Sequence, residues 1–166
     1  MKVGTKSLLF GAHQFIIHPA LVFIAWWKLY GFPWDPRLWL TFIVHDWGYW
    51  GLSDMDGEQG QHHQECGARI MRVFGDRWYF LGYLHSRHLC SRIGLFPSRL
   101  CIADKYVIVI EPAWIYLPRA RLSGELAEYT GGSGKPESVS DLEWLTDLKQ
   151  KLKKWVETNK DRTSTW

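Results

Sequence analysis

The doublet His45-Asp46 closes an apolar run of Leu38, Trp39, Leu40, Phe42, Ile43 and Val44, and it constrains the fold of this chain more than any other feature. An imidazole and a carboxylate on a strongly apolar segment are costly to bury unless they are paired or bind a cation. A fold that buries this run must therefore bring partners to its polar end. Candidates lie on both sides: His13 and His18 before it, His62, His63, His85 and His88 after it, and Asp104 in Ile102-Ala103-Asp104-Lys105-Tyr106. The candidate carboxylates sit on or beside segments that read as helical. The pattern predicts one site assembled from several helices.

No extended stretch alternates apolar and polar residues as a half-buried strand would, so the expected class is all-α. Pro19 suits the first turn of a helix running to about Tyr30, where Gly31 and Pro33 stop it. Asp35-Pro36 opens a second helix that carries the doublet near its end, followed by a loop through Ser53-Asp54-Met55-Asp56-Gly57. A third helix is expected from about Glu58 to Phe74, capped by Gly75. A fourth, from about Asp76, would carry His85 and His88 on neighbouring parts of one face. After Gly94-Leu95-Phe96-Pro97, a fifth runs from near Ser98 through Asp104 to about Ile110, where Glu111-Pro112 ends it. Ser140 with Glu143 forms a capping box for a last amphipathic helix whose apolar face is Leu142, Leu145, Leu148, Leu152 and Trp155, a face suited to packing.

A chain of 166 residues, 46% apolar and with 11 tryptophans, is enough for one domain with a substantial aromatic core. A net charge of +3 is too small for nucleic-acid wrapping, although Arg69, Arg72, Arg77, Arg87, Arg92 and Arg99 crowd the middle third, where an anion could be met. The three cysteines form no CxxC and no even framework, which disfavours a disulfide scaffold or a zinc knuckle and fits a reduced, cytoplasmic protein. The first ten residues lack a signal-peptide layout, and the apolar stretch from Phe15 to Trp27 is short of the roughly 20 residues a membrane span needs.

A His upstream, a His-Asp doublet at the end of a helix, and an Asp on a later helix together resemble the signature of HD-domain metal-dependent phosphohydrolases, here as His18, His45-Asp46 and Asp104. His63-Gln64-Glu65-Cys66-Gly67-Ala68, with His85 beyond it, resembles the His-x-x-x-Gly-Ala step of the HD-GYP branch. That branch's His-His pair and Gly-Tyr-Pro are absent, so cyclic-dinucleotide hydrolysis is not implied. The resemblance covers about residues 13 to 110 and implies a bundle of five core helices. Residues 112 to 166 have no counterpart in it.

The implied ligands are His18, His45, Asp46, His63, His85 and Asp104, with His13 an alternative to His18 and His62 a neighbour of His63. Nitrogen and oxygen donors without thiolates suit one or two ions of Mn²⁺, Fe²⁺, Co²⁺, Ni²⁺ or Zn²⁺, with Asp46 able to bridge two. The implied reaction is hydrolysis of a phosphorylated small molecule, a nucleotide first, by a metal-activated water. Asp46, His88 and Glu58 are the expected catalytic residues. Arg87 and Lys105 would meet phosphate, and Tyr49 and Trp50 would wall the pocket against a base. The same ligands also fit an HD-domain di-iron oxygenase, and a non-catalytic nucleotide-binding HD protein would keep the fold. Neither a membrane nor a nucleic acid is expected as partner; an oligomer is left open.

Overall fold

The computed structural model describes residues 1–164, and among these every regular element is helical. The α-helices are α1 (Val3–Phe10), α2 (Ile17–Tyr30), α3 (Pro36–Val44), α4 (Gln64–Met71), α5 (Asp76–Tyr83), α6 (Arg87–Ile93), α7 (Arg99–Ile110), α8 (Ala113–Ser123), α9 (Glu125–Gly132) and α10 (Asp141–Asn159). Short 3₁₀ turns at Trp47–Tyr49, Gly60–His62 and Arg72–Phe74 flank α4 and follow the doublet. No described helix is long and apolar enough to cross a membrane.

Local chemistry sets the helix ends. Asp35 accepts the Arg37 backbone N–H, and Pro36 fills the first helical position, where a missing N–H costs nothing. Gly31 leaves α2 with φ +87°, a left-handed conformation that side chains resist. Ser98 caps α7, and Ser140 with Glu143 forms the complete capping box of α10.

The main core joins α2, α3, α5 and α7 through Trp26, Phe42, Trp78, Leu81, Leu100 and Val107. A second apolar cluster, with Tyr116, Leu117, Ala120, Leu126 and Leu145, ties α8, α9 and α10 together. Helix α10 packs along α7, so the C-terminal third is docked on the helix that carries Asp104.

Two expectations change. The third helix is shorter than the span 58–74, because 3₁₀ turns replace both of its ends. The fourth breaks at Leu84–Ser86: the Ser86 hydroxyl accepts the Leu89 N–H and starts α6, so His85 lies in a turn and His88 on another helix. The two histidines do not share a helical face. Helix α8 contains Pro118, a residue that reads as a breaker. It persists while the Arg119 side chain donates to the Ile115 carbonyl, in the region where a proline disrupts the backbone ladder.

Candidate metal centre

Glycines without a side chain bring the doublet to α4. A Cβ on Gly67 would lie 2.5 Å from the Val44 carbonyl oxygen and 2.8 Å from His45 Cα, and one on Gly48 would lie 1.8 Å from the His63 carbonyl oxygen. These contacts exist only because both positions are glycine. They seat α4 directly against the end of α3 and bring His63 to Asp46.

The six residues implied as ligands come together in two groups that share Asp46: His18, His45, Asp46 and Asp104, and Asp46, His63 and His85. His18 Nε2 lies 3.2 Å from Asp46 Oδ2, 3.1 Å from Asp104 Oδ1 and 3.3 Å from His45 Nε2. His85 Nε2 and His63 Nε2 lie 3.4 and 3.9 Å from Asp46 Oδ1, and 3.1 Å from each other. His18, His45, Asp46, His85 and Asp104 are all buried.

Three of these rings are oriented from behind by backbone carbonyls. His45 Nδ1 donates to Phe42 O at 2.9 Å, His63 Nδ1 to Gly60 O at 2.6 Å and His85 Nδ1 to Gly82 O at 2.5 Å. A carbonyl only accepts, so each Nδ1 carries a proton and each ring turns its Nε2 inward, the nitrogen left to act as a ligand. The Nε2 atoms of His63 and His85 thus face each other at 3.1 Å, a contact that a shared proton or a cation lying against both would satisfy. Asp46 Oδ2 gives the same indication: it is buried between imidazoles and makes no hydrogen bond. The donor set and its unsatisfied atoms fit a transition-metal ion, and the all-oxygen surroundings preferred by Mg²⁺ are not present.

The electrostatics are those of a cation-seeking site. Burial opposes charge on His18, but the Asp104 and Asp46 carboxylates beside it outweigh burial and lift the imidazole to about 10. Burial, then His85, pushes His63 down to about 3. Burial also disfavours the carboxylate forms. The neighbouring histidines nevertheless hold Asp46 well below its usual range, and Lys105 and His18 do the same for Asp104. Lys105 Nζ stands 2.8 Å from Asp104 Oδ2.

The centre opens into a cavity of about 720 Å³. Tyr49 lines it and stacks flat on His63, with ring centroids 4.1 Å apart. Lys105, Arg87 and His88 line it as well, the last two exposed at its rim, and the Arg87 guanidinium lies 5.7 Å from the Trp155 ring. Two expected site residues are not brought in. Glu58 is exposed and outside the lining, because Asp54 accepts the Gly60 N–H and turns the loop so that Asp56 reaches the cavity instead. Trp50 is 63% exposed and belongs to a separate apolar hollow with Leu8, Phe15, Trp47 and Cys66.

His62 is also turned away, exposed and paired with Glu65. His13 stands outside both ligand groups, with Nδ1 on the Ser7 hydroxyl at 3.0 Å. The C-terminal extension does more than pack: Tyr116, Tyr129, Trp144, Leu148 and Lys151 form a wall of the cavity. Nothing in the local sequence marks these residues as site residues, since they are spread over three helices, α8, α9 and α10, with no motif among them. No family model, curated protein or solved structure matches the chain.

Proposed function

We propose that this chain is a metal-dependent phosphohydrolase of the HD-domain type, acting on a phosphorylated small molecule, with a nucleotide as the leading candidate. The observation that carries the reading is the shared Asp46: one carboxylate lies within ligand distance of two groups of inward-facing imidazoles, beneath a cavity with a basic rim. In this reading His18, His45, Asp46 and Asp104 hold one ion of Mn, Fe, Co, Ni or Zn, and Asp46, His63 and His85 hold a second. Ions bound there supply Lewis acidity and a water of lowered pKa, the two requirements for attack on a phosphoryl group.

The charge balance supports a phosphorylated substrate. The ligands carry two carboxylates, Asp46 and Asp104, so two divalent ions leave the centre with a net +2, suited to a dianionic phosphoryl group. Lys105 and Arg87 add positive charge at the opening. Tyr49 fixes His63 and offers the cavity an aromatic wall. In this reading His88, exposed at the rim, would meet the leaving group.

The test is phosphate release from a panel of nucleoside monophosphates by metal-reconstituted protein under anaerobic conditions, with oxygen uptake followed in parallel in air. Phosphate release that is lost in Asp46→Asn is the expected result. Oxygen uptake with iron and no phosphate release would replace this reading with the oxygenase one.

A further inference from the structure

Outside the ligand groups, a second histidine is built into the cavity wall by residues far apart in sequence. Glu125, the first residue of α9, is fully buried. Its Oε2 accepts the Ala12 backbone N–H at 3.1 Å, while Oε1 makes no hydrogen bond and lies 3.7 Å from His13 Nδ1. Ser7, also fully buried, places its hydroxyl 3.0 Å from the same nitrogen. The backbone makes room for this carboxylate: a Cβ on Gly11 would lie 2.7 Å from Glu125 Oε1. A buried carboxylate with one oxygen unsatisfied is expensive, and packing alone gives no reason to keep it.

The consequence falls on His13. Ser7 and Glu125 both stand at Nδ1, so Nε2 is the polar atom of the ring left for a ligand. The ring lines the cavity, with its centroid 5.2 Å from those of both His18 and Tyr49. It is therefore next to the candidate metal ligands without belonging to them.

We propose that His13 contacts the phosphoryl group of the substrate through Nε2, and that Glu125, with Ser7, is the positioning residue that fixes its ring. This gives the C-terminal extension a role in the site, because Glu125 comes from it. The inference rests on the phosphohydrolase reading and specifies a substrate contact within it.

The experiment is calorimetric titration of inorganic phosphate into the Mn²⁺-loaded full chain, for wild type, His13→Gln, Glu125→Gln and Ser7→Ala, with metal content and thermal melting measured on each. Losing one charge-assisted hydrogen bond is expected to weaken phosphate binding roughly tenfold to hundredfold in His13→Gln, at unchanged metal content. Glu125→Gln keeps the shape of the buried side chain and is expected to weaken binding roughly threefold to tenfold, with KM raised more than kcat is lowered on any phosphate ester the wild type turns over. Wild-type affinity in His13→Gln would overturn the inference and leave the phosphohydrolase reading standing. A lost metal ion in His13→Gln would also overturn it, by making His13 a ligand. Failure of the wild type to bind phosphate would instead count against the phosphohydrolase reading itself. Should Glu125→Gln melt early, His13→Gln, at a partly exposed position, still decides.

Discussion

At the scale of single residues, His18 sets the pH dependence that cation binding at this site would have. Its imidazole sits between Asp46 and Asp104, whose carboxylates outweigh burial and lift its pKa to about 10. A divalent ion bound through His18 would displace the proton of that ring, which fixes the sign of the expected pH dependence. Below about 10 the ring is protonated, binding releases a proton, and affinity rises with pH by up to about tenfold per unit for each proton displaced. Titrations of Mn²⁺ at pH 6 to 8 in buffers of different ionisation enthalpy should show this release. Affinity independent of pH would contradict it. Much of the site was legible at this scale. The six candidate ligands are residue types that an apolar helix would not bury without partners, and they were grouped around one doublet from the sequence. Glu58 and Trp50 were misread because proximity along the chain says nothing about which way a loop turns. For Glu58, Asp54 and its bond to the Gly60 N–H decide that.

At the scale of elements, the site depends on how closely α4 approaches α3. Gly67 meets the Val44 carbonyl and His45 Cα where no Cβ fits, so Gly67→Ala must push the helices apart. Overpacking of this kind typically costs about 1–3 kcal/mol, and contact with backbone rather than a flexible side chain favours the upper end. The variant should melt at lower temperature and bind its second ion more weakly than its first, as read by thermal unfolding and metal titration. Unchanged metal binding would mean that α4 is not what presents His63. The helices with clear punctuation were readable: Asp35-Pro36, Gly75, Ser98 and Ser140 all mark ends that the structure reproduces. The break between α5 and α6 was not, because Leu84-His85-Ser86 contains neither glycine nor proline and the Ser86 cap is a subtle signal. Helix α8 also went unread, because Pro118 interrupts its helical pattern.

At the scale of the whole molecule, the C-terminal third completes the cavity that the first two thirds begin. Tyr116, Tyr129, Trp144 and Lys151 reach the cavity that holds the candidate ligands, and Leu145 and Leu152 bury the face of α10. Pairings such as Glu125 with Ala12 span most of the chain, and no local pattern announces them. Removing residues 137–166 is therefore expected to raise the KM for a phosphorylated substrate at least about tenfold and to lower the melting temperature, since it strips a wall and a buried face together. Intact kinetics in the truncated protein would return α10 to a purely packing role.

The central claim is a two-ion centre shared through Asp46. Elemental analysis of stripped and reconstituted protein tests it most directly, for wild type, His63→Ala and Asp46→Asn. The account predicts two ions per chain in wild type, one in His63→Ala with the fold retained, and neither held stoichiometrically in Asp46→Asn. A full metal complement in Asp46→Asn, or a wild type that binds no metal, would contradict it.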